Sequence, residues 1–196
     1  MTLRVLGIDP GLTRCGVGIV DVELNRRATL VEVTVIRTPG DMPLEQRLLA
    51  VGTGIEELLD RLAPHVVSLE RVFAQQNLST VMGTAQVSGV ALHAAARRGL
   101  SVGLHTPSEV KAAITGYGSA DKRQVATMVA RVLGLSELPK PADAADALAI
   151  AICHAWSSGP VPMPSAAASG RTPAQDAWRA AERAAAKPVA KRRLAP

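Results

Sequence analysis

The spacing of the apolar residues changes at Pro43, and that change constrains the fold most. Before Pro43, three runs rich in valine, isoleucine, leucine and threonine are separated by short turns, which is typical of an antiparallel meander. These runs are TLRVLGID, CGVGIVDVE and ATLVEVTVIRT. After Pro43, apolar residues recur at the three-and-four spacing of one helical face until Pro64, where the first helix is expected to end.

The remainder of the chain alternates between strand and helix patterns. HVVSLE predicts a fourth strand and LSVGLHT a fifth. Helices are expected from Ser79 to Arg98, over PSEVKAAIT, from Asp121 to Leu133 and over PADAADALAIAICHAW. Antiparallel strands followed by alternating helices and strands predict an α/β domain, residues 1–157, with a mixed five-stranded sheet flanked by helices.

Residues 158–196 have a different composition, dominated by alanine, proline, serine and basic residues. This composition predicts a disordered basic tail. Residues 157–196 carry seven Lys and Arg against two Asp and Glu, which accounts for the whole net charge of +5. The two cysteines have no metal-type spacing, and neither a signal peptide nor an apolar stretch of membrane-spanning length is recognisable. We therefore expect a cytoplasmic protein that does not contact a membrane.

Two acidic residues each end an apolar run. Asp9 follows VLGI and precedes Pro10 and Gly11, so ordinary turn chemistry can explain it. It can equally be a functional carboxylate at the carboxyl end of a central strand, where open α/β sheets place their sites. Glu70 ends HVVSLE in the same way. If the first and fourth strands are parallel neighbours, Asp9 and Glu70 lie side by side.

The last predicted helix adds two more carboxylates, Asp143 and Asp146, on one face. Helix capping can explain Asp143, but it explains Asp146 less well because that residue lies deeper in the helix among apolar neighbours. A helix packed across the sheet edge would bring all four acids together. Such a cluster fits hard divalent cations, Mg²⁺ or Mn²⁺, and two ions about 4 Å apart stabilise the attacking water and leaving oxygen of a phosphoryl transfer.

Four motifs in order, GIDPGLTRCGVGI, LERVFAQQN, GYGSADKRQV and DAADALAIAICH, resemble the RuvC family of Holliday junction resolvases over residues 2–157. The resemblance implies a ribonuclease H-like fold and a homodimer. It also implies Mg²⁺-dependent cutting of two symmetry-related strands at a four-way DNA junction, in recombination and DNA repair. The implied catalytic and metal-binding residues are Asp9, Glu70, Asp143 and Asp146, and the implied partner besides DNA is the RuvA–RuvB branch-migration complex. We expect the small-sided helix from Ser79 to Arg98 to form the dimer contact.

The loop after Glu70 contains Phe73, the one phenylalanine of the chain, and Gln76. Phe73 is either an apolar anchor of this loop or a wedge that stacks on a DNA base, and the resemblance favours the wedge. Gln76 is expected near bases or sugars, although polar loop residues are commonly just solvated.

Three basic residues are candidates for DNA contact. Lys122 and Arg123 occupy the first turn of a predicted helix, where the helix dipole disfavours cations, so a phosphate site is a reason for their presence. Lys111 matches a lysine of the family in SEVKAAI. The alternative for all three is a solvated surface.

Three other functions are alternatives to a junction nuclease. An actin-like phosphotransferase needs a second, similar half that 196 residues cannot supply. A non-catalytic DNA-binding module conflicts with clustered acids, which repel phosphate without metals. A metal-dependent nuclease acting on ribosomal RNA precursors shares the strand–Asp–Gly opening, and preferential cutting of a four-way DNA junction over RNA distinguishes the two.

Overall fold

The computed structural model describes residues 2–72 and 78–157, with only the backbone for residues 78–80. The five strands and five helices follow the predicted order. The strands are β1 Thr2–Asp9, β2 Arg14–Glu23, β3 Ala28–Arg37, β4 Val66–Glu70 and β5 Ser101–His105. The helices are α1 Leu44–Leu62, α2 Leu78–Arg97, α3 Pro107–Thr115, α4 Lys122–Leu133 and α5 Ala142–Ser157.

The five strands form one mixed sheet in the order β3-β2-β1-β4-β5. β1, β2 and β3 are antiparallel, whereas β4 is parallel to both β1 and β5. Ile8 pairs with Leu69, so the residues that follow them, Asp9 and Glu70, lie at the same edge of the sheet. The predicted α/β fold and the predicted pairing of the first and fourth strands are confirmed.

Alternating side chains of the strands build a core on each face of the sheet. Val5 and Val20 pack with the buried residues of α3, α4 and α5. Leu6 and Ile19 point the other way and pack with those of α1 and α2. In β1, Val5, Leu6 and Ile8 are fully buried, which explains its unbroken apolar run.

Three glycines on the α5 side of the sheet allow that helix to approach the strands closely. A Cβ added at Gly7, Gly16 or Gly18 would collide with the backbone of α5. At Gly16 the collision is with the carbonyl oxygen of Asp143, and Gly16 is the antiparallel partner of Asp9. Because Gly16 has no side chain, the start of α5 can pack closely against the end of β1.

In the described part of the chain, no helix is both long enough and apolar enough to cross a membrane.

Candidate active site

Four carboxylates come together at one edge of the sheet. Asp9 and Glu70 are the last residues of β1 and β4, and Asp143 and Asp146 lie in the first two turns of α5. All four side chains are partly buried. The structure thus assembles the four acidic residues singled out in the sequence.

The proximity of these acids changes their ionisation. Burial, the largest cause, and the negative charges of Asp146, Glu70 and Asp143 together raise the pKa of Asp9 from 3.8 to about 7. Burial, together with Asp146, also raises the pKa of Glu70. Lys122 opposes both shifts. The cluster therefore accumulates more negative charge than its surroundings stabilise.

Two basic side chains contact the acids on α5. Lys122 Nζ donates to Oδ2 of Asp146 over 3.1 Å. This contact explains why a lysine occupies the first turn of α4 despite the helix dipole. Arg14 Nε lies 3.1 Å from Oδ2 of Asp143. That oxygen is buried and accepts no hydrogen bond, so the contact with Arg14 is a charge interaction without the alignment of a hydrogen bond.

The donor set fits an oxygen-liganded divalent cation. All of its donor atoms are carboxylate oxygens, which such cations prefer. One of these oxygens, Oδ2 of Asp143, is buried and accepts no hydrogen bond. Repulsion among the carboxylates also contributes to the raised pKa of Asp9. Among the residues described, no group of three or more His, Cys, Asp or Glu is spaced to hold an ion. The chemistry of the donors fits a cation, and in the structure Lys122 and Arg14 contact two of the four acids.

A network that the sequence did not reveal holds the turn after Asp9. Arg47 of α1 donates from Nε to Thr38 Oγ1 over 2.9 Å and from Nη2 to Thr13 Oγ1 over 2.7 Å. Thr38 is buried, and its hydroxyl donates to the carbonyl of Leu12. The turn between Asp9 and Arg14 is therefore tied to both α1 and the end of β3.

Two histidines meet beside the acidic cluster. Nε2 of His105 lies 2.9 Å from Nδ1 of His154, and His105 is the strand partner of Glu70. Burial, followed by repulsion from His105, lowers the pKa of His154 to about 4. Nothing in the 49-residue spacing of these two histidines indicates the pair in the sequence.

The remaining predicted site residues are distributed as follows. Lys111 of α3 is partly buried, and its charge opposes the rise in the pKa of Glu70. Arg123 is exposed on α4. Phe73, Gln76 and the segment 158–196 lie outside the described residues.

Residues 5–154 match the family model of the crossover junction endodeoxyribonuclease RuvC. The chain belongs to the RuvC family. The RuvC of Leifsonia xyli subsp. xyli is 71% identical over 210 residues, which cover 100% of both chains. The RuvC of Clavibacter michiganensis subsp. michiganensis is 64% identical over 197 residues, covering 93% of this chain and 98% of the relative.

A solved RuvC structure extends the similarity to three dimensions. The T. thermophilus RuvC in complex with a Holliday junction substrate superposes with a TM-score of 0.76 and is 36% identical. The match covers 80% of this chain and 95% of that chain. The resemblance to the RuvC family and the ribonuclease H-like fold that it implies are confirmed.

Proposed function

We propose that this chain resolves four-way (Holliday) DNA junctions by paired, metal-assisted cuts in two symmetry-related strands. The observation that carries the proposal is the cluster of four carboxylates at the sheet edge in a chain of the RuvC family. The similarity to a RuvC solved with a Holliday junction supports a junction as the substrate. No observation favours a ribosomal RNA precursor.

Asp9, Glu70, Asp143 and Asp146 are proposed to hold the metal, with Mg²⁺ as the ion, Mn²⁺ as a substitute and two ions per subunit during catalysis. When bound, such ions lower the pKa of the attacking water and neutralise charge on the phosphate.

The side chains around the acids have separate proposed tasks. The buried carboxylate of Asp9 is held at the sheet edge by its strand pairing with Gly16. Arg14 orients Asp143 through its 3.1 Å charge contact. Lys122, once released from Asp146, offers its ammonium to a phosphate oxygen next to the cut.

The DNA contacts proposed from the sequence are Lys111, Lys122, Arg123, Phe73 and Gln76. Lys111 and Lys122 are supported by their effect on the pKa of Glu70, which requires both positive charges to lie near the acidic cluster. The roles of Phe73 and Gln76 stay predictions from the sequence. Three further points also stay predictions from the sequence: the domain boundary at residue 157, the partnership with RuvA–RuvB and the cytoplasmic location.

For the homodimer, we propose that α2 meets its symmetry mate. Residues at three-and-four spacing leave small or apolar side chains exposed on one face of α2: Met82, Ala85, Gly89, Leu92 and Ala96. A Cβ at Gly89 would meet nothing within 4 Å, so a second backbone can approach there. A two-fold axis places the same face on both subunits, which suits a self-complementary stripe.

Sedimentation of a Gly89→Glu variant tests this contact. We expect monomers, because the new carboxylates would face each other across the axis. Thr29→Glu, on an exposed position of β3, is the control and should stay dimeric. Dimers of Gly89→Glu with unchanged affinity would exclude α2 as the interface.

The proposed activity is tested by strand cleavage of a synthetic four-way junction with and without Mg²⁺. We expect cuts in two opposed strands only when the metal is present, and little cutting of linear duplex or of structured RNA. Asp146→Asn should abolish cutting while junction binding in chelator persists. Asp41→Asn, an exposed acid in the turn before α1, is the matched control and should cut normally.

Two results would contradict the proposal. Preferential cutting of RNA would support the alternative ribonuclease. Full activity of Asp146→Asn would remove the carboxylate cluster from the chemistry.

A further inference from the structure

A groove of about 420 Å³ runs between the α3–α4 loop and the outer side of α4. Tyr117 lines it on the loop side, and Arg123, Thr127 and Arg131 line it on the helix side. The four-residue spacing places these three helical residues in one row. The groove lies outside the carboxylate cluster, although α4 begins at Lys122, which contacts that cluster.

The groove presents cationic and hydroxyl donors to solvent. Tyr117 is 65% exposed, the largest value for an aromatic residue among those described, and both arginines are exposed. In the described part of the chain, no carboxylate lies within ion-pair distance of Arg123 or Arg131. Asp121 also lines the groove, but its Oδ1 accepts the backbone N–H of Gln124 and caps α4. An anionic occupant is therefore favoured.

The chemistry of the donors matches a phosphodiester backbone. Arginine guanidinium groups and tyrosine hydroxyls are common hydrogen-bond donors to phosphate oxygens. Such contacts position a duplex on a protein independently of its sequence. The chain's own C-terminal segment is a poor occupant, because residues 157–196 carry seven basic against two acidic residues. A second copy of the same arginine row would be repelled.

The position of the groove points to a particular part of the substrate. Arg131 lies nine residues after Lys122, or about 13.5 Å along the helix axis. For a duplex arm that lies along α4, this distance spans about four base pairs at 3.4 Å per step of a strand. We propose that Tyr117, Arg123 and Arg131 bind phosphates of a duplex arm, with Arg131 at a phosphate about four base pairs from the one that is cut. This inference rests on the proposed junction substrate and adds a binding surface remote from the reaction.

Arg131→Gln and Tyr117→Phe test the groove, and Arg27→Gln is the matched control. Arg27 is exposed in the β2–β3 turn, at the opposite edge of the sheet from the acids. Junction affinity is measured in chelator over a range of salt concentrations. One phosphate contact contributes about 0.9 to the slope of log affinity against log salt concentration. Loss of one contact should therefore make Arg131→Gln bind about eightfold more weakly at 0.1 M salt than the wild type. The slope of log affinity against log salt concentration should fall by about one, while the melting temperature stays near that of the wild type.

Tyr117→Phe removes one hydroxyl and should weaken binding less than Arg131→Gln, without changing the salt slope. Arg27→Gln should leave affinity and slope unchanged. An unchanged slope for Arg131→Gln, or an equal effect of Arg27→Gln, would overturn the assignment.

Junctions with a single neutral methylphosphonate, placed three to six base pairs from the cut, locate the contact. At one position, the methylphosphonate should weaken binding by the wild type about as much as the Arg131→Gln substitution weakens binding to the unmodified junction. The same methylphosphonate should not weaken binding by the Arg131→Gln variant any further. Independent losses at every position would refute a contact between Arg131 and the arm. Because binding is measured in chelator, this result does not depend on whether the protein cuts the junction.

Discussion

Replacing Asp9 by asparagine should stabilise the metal-free protein at neutral and alkaline pH, although it should abolish cutting. The carboxyl group titrates near 3.8 in an unfolded chain and near 7 in the folded protein, where burial and three neighbouring carboxylates disfavour its charge. Between these values the folded state holds a proton that the unfolded state has lost. Stability therefore falls as the pH rises from about 4 to about 7.

The size of the effect follows from the two pKa values. Their difference corresponds to about 4 kcal/mol of destabilisation above pH 7, and more than half of it develops between pH 5 and pH 8. Asparagine is nearly isosteric and carries no charge, so Asp9→Asn should recover most of this free energy. For a domain of this size, 4 kcal/mol corresponds to a rise in melting temperature of about 10 °C.

The assay is thermal unfolding of wild type and Asp9→Asn in chelator from pH 5 to pH 8. Other groups, including the histidines, titrate in both proteins, so the difference between their melting temperatures isolates Asp9. The difference in melting temperature should grow with pH, and Asp41→Asn, at an exposed position, is the control variant. An Asp9→Asn protein that is less stable than wild type at pH 8 would refute the account of a repulsive, buried cluster. Added Mg²⁺ should raise the melting temperature of the wild type more than that of the variant.

Two further predictions concern the support of the site. Gly16→Ala should lower the free energy of unfolding by about 1–3 kcal/mol and reduce cutting, because the added Cβ would displace the carbonyl of Asp143. Gly40→Ala is the control, because a Cβ at Gly40 meets no atom within 4 Å. Melting and cleavage assays should show no change for this control. Wild-type protein should lose stability between pH 6.5 and pH 4, because the lowered pKa of His154 keeps the folded imidazole neutral while the unfolded chain gains a proton. His154→Gln should therefore lose less stability over this pH range. Equal acid sensitivity of the two proteins in unfolding experiments would exclude that role.

Much of the fold could be predicted because local signals agree with the topology. Pro43 and Pro64 flank α1, and Gly99 and Gly134 adopt positive φ just after α2 and α4, so the predicted ends differ from the observed ones by one or two residues. The clustering of the four acids could be predicted because the ends of parallel strands lie at one edge of a sheet and because residues three apart lie on one face of a helix.

The surroundings of the acids could not be predicted in the same way. The contacts of Arg14 and Arg47 join residues that only the tertiary structure brings together, and an arginine in a sequence carries no sign of its partner. The glycines at positions 16 and 18 did leave a signal, since glycine weakens a strand interior and often marks the close approach of another backbone.

The position of α5 at the end of the domain also affects how the protein is made. Asp9 and Glu70 leave the ribosome early, whereas Asp143 and Asp146 follow only with the last helix, which packs on β1 and β2. At synthesis rates of about 5–20 residues per second, several seconds separate Glu70 from Asp143. Throughout this interval a nascent chain, or a product of premature termination, carries only half of the acidic set. If all four acids are needed, as proposed, only a chain with the complete domain cuts DNA.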